Sequence, residues 1–245
     1  MGPFYGRKAI VDDLIALMLK GQIVLLYGPM GIGKTAILEA VRRAIEKDRR
    51  PCGFSPQTRS LSDLTAALIQ AYPDVNIVGQ TQRQIRSALR LAIENNPGVL
   101  LCDHLCDAGT QFKGYLRSLR WTTALGVLFA ADAEVPRDHE RFRSMHLAYR
   151  EMEVHPLPSR YMHRIFADTL SGKSLPGFLT DKDRSALVRV AHGRPGWMSI
   201  IGELLQRSDF WIDGHVHIAF MRISVMAEIA KRYFVCTNDK LEAGN

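Results

Sequence analysis

Residues 25–38 read LLYGPMGIGKTAIL. An apolar run, Ile23 to Tyr27, gives way to Gly28-Pro29-Met30-Gly31-Ile32-Gly33-Lys34-Thr35, and from Ala36 the apolar residues fall at helical spacing. A buried strand that turns through glycines into a helix brings backbone N–H groups and the positive helix end around phosphate oxygens. In the spacing G-x-x-x-x-G-K-T, Lys34 reaches toward β- and γ-phosphates and the Thr35 hydroxyl is a ligand for Mg2+. The expected nucleotide-binding set is therefore Gly28, Pro29, Met30, Gly31, Ile32, Gly33, Lys34, Thr35 and Ala36.

Working outward, apolar residues at Ile10, Val11, Leu14, Ile15, Leu17 and Met18 give a helix over 8–20 that Gly21 ends before the strand at 23–27. A helix over 35–47, a strand near 52–55, and helices over 61–72 and 81–95 follow, the last stopped by Asn95-Asn96-Pro97-Gly98. "GVLLCDH" is a buried strand, a helix spans about 110–120, "LGVLFAA" is another strand, and a basic helix over 138–149 precedes a short strand, "MEVHPL". Strands alternating with helices predict an α/β fold, a parallel sheet with helices on both faces. After Pro156 and Pro158 the segments from 159, 180, 195 and about 216 all read as helical, with Ser159 and Thr180 as N-caps and Pro195 in a first turn. The expected domains are an α/β core over 1–157 and a small all-helical domain over 158–245.

The 245 residues suffice for a large core. At 47% apolar and 23% charged the composition is that of a soluble globular protein. No run approaches the roughly 18 apolar residues of a membrane span, and the N-terminus shows no signal-peptide pattern. Four scattered cysteines fit a reducing cytoplasm; Cys102 and Cys106 find no second pair at ligand spacing and read as core thiols. A net charge of +7 favours a polyanionic partner, because Lys and Arg release counterions from phosphates.

A magnesium nucleotide also needs a carboxylate at the tip of a neighbouring strand, and "GVLLCD" supplies Asp103. With these residues in place the chain resembles the AAA+ class of P-loop ATPases, including the STAND group of signalling NTPases. "LLYGPMGIGKT" is similar to the Walker A motif and "GVLLCD" to Walker B; "FYGRKAIVDDLIALM" resembles the N-terminal segment over the adenine, and "HGRPGW" the element that opens a lid helix. The resemblance implies ATP and Mg2+ as ligands, ATPase activity, Thr35 and Asp103 at the metal, and Arg7 and Arg194 on the nucleotide. It also implies that "RDHERFRSMHLAYRE" (Arg137, Arg141, Arg143, Arg150) faces a neighbouring subunit, with Arg143 and Arg150 the leading candidates for an arginine acting in trans.

Two positions depart from that pattern. Where many members have Glu after the Walker B Asp, this chain has His104. Either the imidazole is the base, or water is oriented elsewhere, for instance by Asp107, or turnover is slow and partner-dependent. Asp132 ends the strand where a neutral polar residue often faces the γ-phosphate, and an anion there would be repelled by phosphate unless it met Mg2+ or an Arg. His215 and His217, two apart, would share a face on a strand, but they have no third ligand nearby in sequence.

The leading expectation is an ATPase that oligomerises with ATP as a ring or filament and binds duplex DNA through its backbone. It would regulate or load a DNA transaction such as transposition, with a partner protein such as a transposase. The alternative is a STAND-like switch, although the long effector or repeat domains of such proteins do not fit in 245 residues. A metabolic P-loop kinase is disfavoured by the two-domain layout.

Overall fold

The computed structural model describes residues 4–58, 60–104, 109–132 and 148–242, the last eleven as backbone alone. In chain order the elements are α1 (Lys8–Leu19), β1 (Ile23–Gly28), α2 (Lys34–Lys47), β2 (Cys52–Ser55), α3 (Leu61–Ala71), α4 (Gln82–Asn95), β3 (Val99–Cys102), α5 (Thr110–Thr122), β4 (Gly126–Asp132) and β5 (Arg150–Glu153). Then come α6 (Ser159–Leu170), α7 (Asp181–Val190), α8 (Pro195–Leu204), a 3₁₀ turn (Ser208–Phe210), β6 (Trp211–Ile212), β7 (His215–Val216) and α9 (Ile218–Glu242). Among the described residues no helix is long and apolar enough to cross a membrane.

The strands β2-β3-β4-β1-β5 form one parallel sheet. Parallel strands need crossovers, and the helices that supply them cover both faces. Ile23, Leu25, Val127 and Phe129 point into one core with Leu64 and Leu68 of α3, Leu89 and Ile93 of α4, and Phe112 and Leu116 of α5. The alternate residues Val24, Leu26, Leu101 and Leu128 are fully buried on the other side, where α1 and α2 pack along the sheet. Because β1, β3 and β4 are covered on both faces, they read as continuous apolar runs rather than alternating ones.

The chain divides into two compact units: Arg7–Met30 with Lys34–His155, and Met1–Gly6 with Gly31–Gly33 and Pro156–Asn245. The second unit has its own core, in which Met162, Phe166, Leu187, Trp197, Ile201 and Phe210 are buried together. Capping boxes open α3 (Ser60 with Asp63), α4 (Thr81 with Gln84) and α7 (Thr180 with Asp183).

Four expectations need correction. Ser159 is not an N-cap; Pro158 holds that position and Ser159 is the first helical residue. The strand expected over 152–157 is Arg150–Glu153, since Pro156 has no N–H to continue a ladder. The C-terminal part is not all helical: Trp211 pairs with Val216 and Ile212 with His215 across a two-residue turn. That turn is Asp213-Gly214, at φ 49° and 77°, the left-handed pair that a tight hairpin requires. His215 and His217 do not share a strand face, because His217 lies beyond β7 and its Nδ1 accepts the Phe220 N–H at 3.1 Å. The basic helix expected over 138–149 falls almost wholly outside the described residues.

Candidate functional site

Parallel strands β1 and β4 end side by side, with Gly28 in register with Asp132. The chain leaves β1 through Pro29 and Met30 and enters α2 at Lys34. Lys34 is 8% exposed. Its ammonium donates to the Gly28 carbonyl (2.7 Å), the Pro29 carbonyl (3.1 Å) and Asp132 Oδ1 (2.5 Å). An ammonium has three protons, and these acceptors take all three.

Thr35 Oγ1 donates to Asp103 Oδ2 at 2.6 Å. Asp103 is 2% exposed, and the backbone holds it in place: its N–H donates to Ser55 O and its carbonyl accepts from the Thr58 N–H. The other carboxylate oxygen accepts the His104 N–H at 3.0 Å. Hydroxyl and carboxylate are hard oxygen donors of the kind Mg2+ takes, so Thr35 and Asp103 fit the ion. No cluster of three or more His, Cys, Asp or Glu suited to a metal occurs among the described residues.

His104 has φ 44°, a left-handed backbone uncommon outside glycine. Its imidazole Nε2 lies 3.9 Å from Asp103 Oδ2 and is half exposed, too far for a hydrogen bond. If the chain hydrolyses ATP as the resemblance implies and a missing carboxylate limits that hydrolysis, His104→Glu should raise the steady-state rate by about tenfold or more, the low end of a general base's contribution. A rate well below that of the unaltered protein would show instead that the imidazole takes part.

The middle of the loop belongs to the other compact unit. Gly31 and Gly33 stand at φ +76° and +100°, which only glycine takes without strain. The Gly31 carbonyl accepts the Gly196 N–H at 2.8 Å, and a Cβ at Gly31 would lie 2.7 Å from the Trp197 ring. Ile32 is fully buried. Ala36 is the third residue of α2.

The remaining expected residues lie as follows. Arg7 caps α1 and is half-buried, and burial pushes its guanidinium below its ordinary value. Arg194 caps α8 with its guanidinium 4.4 Å from the Trp197 ring centroid. Arg150 is exposed and opens β5 opposite Val24, four positions or roughly 13 Å of strand from the Gly28 end, so the structure does not bring it to Lys34. Arg137, Arg141, Arg143, Asp107 and Cys106 lie outside the described residues. Cys102 is a core thiol, pushed up to about 12 by burial. Sequence reasoning gave Asp132 either Mg2+ or an arginine as its counter-charge; the structure gives it Lys34 instead. The signal was the one that marked Asp103, an acid closing an apolar run.

The model of the AAA ATPase domain family matches residues 3–152. No curated protein matches the chain. Among solved structures, the Walker-type ATPase of Pyrococcus abyssi superposes with TM-score 0.60 at 14% identity, over 98% of this chain and 76% of that one. Cdc6p of Pyrobaculum aerophilum gives 0.57 at 12% identity, over 82% of this chain and 61% of its own. A Signal Transduction ATPase with Numerous Domains from Pyrococcus horikoshii, with a tetratricopeptide repeat sensor, gives 0.56 at 14% identity over 92% of this chain, which spans 32% of that protein. At these identities the likeness is one of fold.

Proposed function

The chain belongs to the AAA ATPase domain family, and from that premise we propose that it binds ATP with Mg2+, hydrolyses it slowly or under a partner's stimulation, and assembles on duplex DNA. The observation that carries the nucleotide reading is the convergence of Lys34, Thr35 and Asp103 at the strand ends, with the Thr35–Asp103 contact at 2.6 Å. Thr35 and Asp103 would hold Mg2+, which when bound neutralises phosphate charge. Lys34 binds the β- and γ-phosphates, the loop residues Gly28 to Ala36 wrap them, and Arg7 approaches the nucleotide. An arginine from a neighbouring subunit, Arg143 or Arg150, completes the site; Arg150, remote from Lys34 in its own subunit, suits only a role in trans.

For DNA, the support is charge. Helix α4 carries Arg83, Arg86 and Arg90, and α5 carries Lys113, Arg117 and Arg120, while Glu94 is the one acid on the two. The helices are neighbours: Tyr115 Oη donates to the Arg86 carbonyl at 3.3 Å, and Arg83, Arg117 and Arg120 are exposed. Backbone contacts of this kind give affinity without reading bases. Binding to labelled duplexes of two unrelated sequences is expected to be equal, to require an ATP analogue, and to fall with log salt by about 0.9 per phosphate contact. Changing Arg83, Arg117 and Arg120 together to Glu flattens that slope, whereas Arg143→Ala or Arg150→Ala impairs assembly, hydrolysis and DNA binding together. Equal binding without nucleotide, or none at low salt, would sink the assembly reading. On this reading the protein regulates or loads a DNA transaction such as transposition, alongside a transposase or similar effector. His104 favours the second reading, a STAND-like switch, which predicts monomers in electron micrographs with ATP analogue and DNA rather than rings or filaments.

A further inference from the structure

Every proton of the Lys34 ammonium already has an acceptor, and only one of the three acceptors carries charge. The two carbonyls belong to Gly28 and Pro29, at and just past the end of β1. The third, the Asp132 carboxylate, closes the neighbouring strand in register with Gly28 and is itself largely shielded, with 22% of its side chain exposed. A phosphate oxygen arriving at Lys34 must take the place of one of them. The carboxylate is the one whose displacement frees a full opposite charge, and a side chain turns away more readily than a backbone carbonyl in a strand end.

We propose that Asp132 is a built-in counter-anion for Lys34 that the nucleotide's phosphates must displace, so that this residue sets the affinity for polyphosphates. The inference rests on the nucleotide reading of the loop and adds to it a determinant of selectivity. An incoming ligand must out-compete a short ion pair, which a β,γ-polyphosphate does with several oxygens and multiple charges and a monophosphate does poorly. The loop therefore discriminates by phosphate count before any base or sugar is recognised.

The test is a cycle of variants in the full chain: Asp132→Asn, Lys34→Met and the double variant, each titrated calorimetrically with MgATP, magnesium pyrophosphate and adenosine. Asp132→Asn is expected to tighten MgATP and pyrophosphate by about tenfold or more, the scale of a charge-assisted contact, and to leave adenosine unchanged. The gain must shrink sharply in the Lys34→Met background, because there is no ammonium left to release. A gain of equal size with and without Lys34 would reduce Asp132 to a repulsive charge acting through space and overturn the proposal, as would weaker polyphosphate binding by Asp132→Asn. The same four proteins unfolded in urea without ligand give an independent readout. Non-additive stability is expected of a real pair, and additive effects would overturn it. If the unaltered chain binds no polyphosphate while the urea cycle remains non-additive, the nucleotide reading fails and the ion pair stands as structural; if both are negative, both fall.

Discussion

Lys34→Ala is expected to weaken MgATP binding by at least about 100-fold, equivalent to about 2.7 kcal/mol and within the range of a lost charged hydrogen-bond donor. Two effects add. The ammonium proposed to meet the β- and γ-phosphates disappears, and Asp132, now without the cation it contacts at 2.5 Å, turns an uncompensated carboxylate toward the incoming phosphates. The variant should keep its fold, since α2 begins at this position and alanine is the best helix former. Equilibrium titration with a fluorescent ATP analogue measures the loss, and wild-type affinity would show that this loop is not the nucleotide site. Combining Lys34→Ala with Asp132→Asn should recover only a small part of the affinity, well short of the gain that Asp132→Asn gives with Lys34 present.

On the proposed function, Asp103 is expected to matter more for turnover than for binding. Asp103→Ala should lower kcat by about 100-fold or more, roughly 2.7 kcal/mol on the barrier, while the Kd for MgATP moves by less than about tenfold. Its carboxylate accepts from Thr35 and from the His104 N–H, so alanine removes both a charge and a local anchor. Asp103→Asn separates them. An amide oxygen still accepts those hydrogen bonds but carries no charge, so a loss as large as alanine's assigns the effect to charge. Steady-state kinetics beside calorimetric binding decides it, and an unchanged kcat in either variant would remove Asp103 from the reaction.

What the sequence reveals here follows from what local chemistry can encode. The strand–loop–helix over 25–38 was readable because glycine spacing, the lysine and the buried run all lie within one short window, and the N-cap at Thr180 was readable for the same reason. β5 was misplaced because Arg150–Glu153 lies at a sheet edge and is mostly exposed, so apolar content does not mark it; the apolar Val154 beyond it is buried by packing. The Trp211–Val216 hairpin had its signal in Asp213-Gly214, flanked by apolar residues, and the two nearby histidines drew attention from it. The Lys34–Asp132 pair was beyond any local pattern. It exists only because β1 and β4, far apart in the chain, lie next to each other.

That adjacency also has a consequence during synthesis. Ile23 pairs with Val127 on one side and Val24 with Arg150 on the other, so neither neighbour of β1 exists when β1 leaves the ribosome. At about 5–20 residues per second, the apolar run Ile23–Leu26 waits roughly 5–20 s with both edges unpaired. Over that interval α1, next to it in sequence, is the nearest cover the nascent chain has for this strand. An early stall between β1 and β4 would leave a sticky, unpaired segment for chaperones to hold, whereas one just past β4 would release a chain already able to close its central strands.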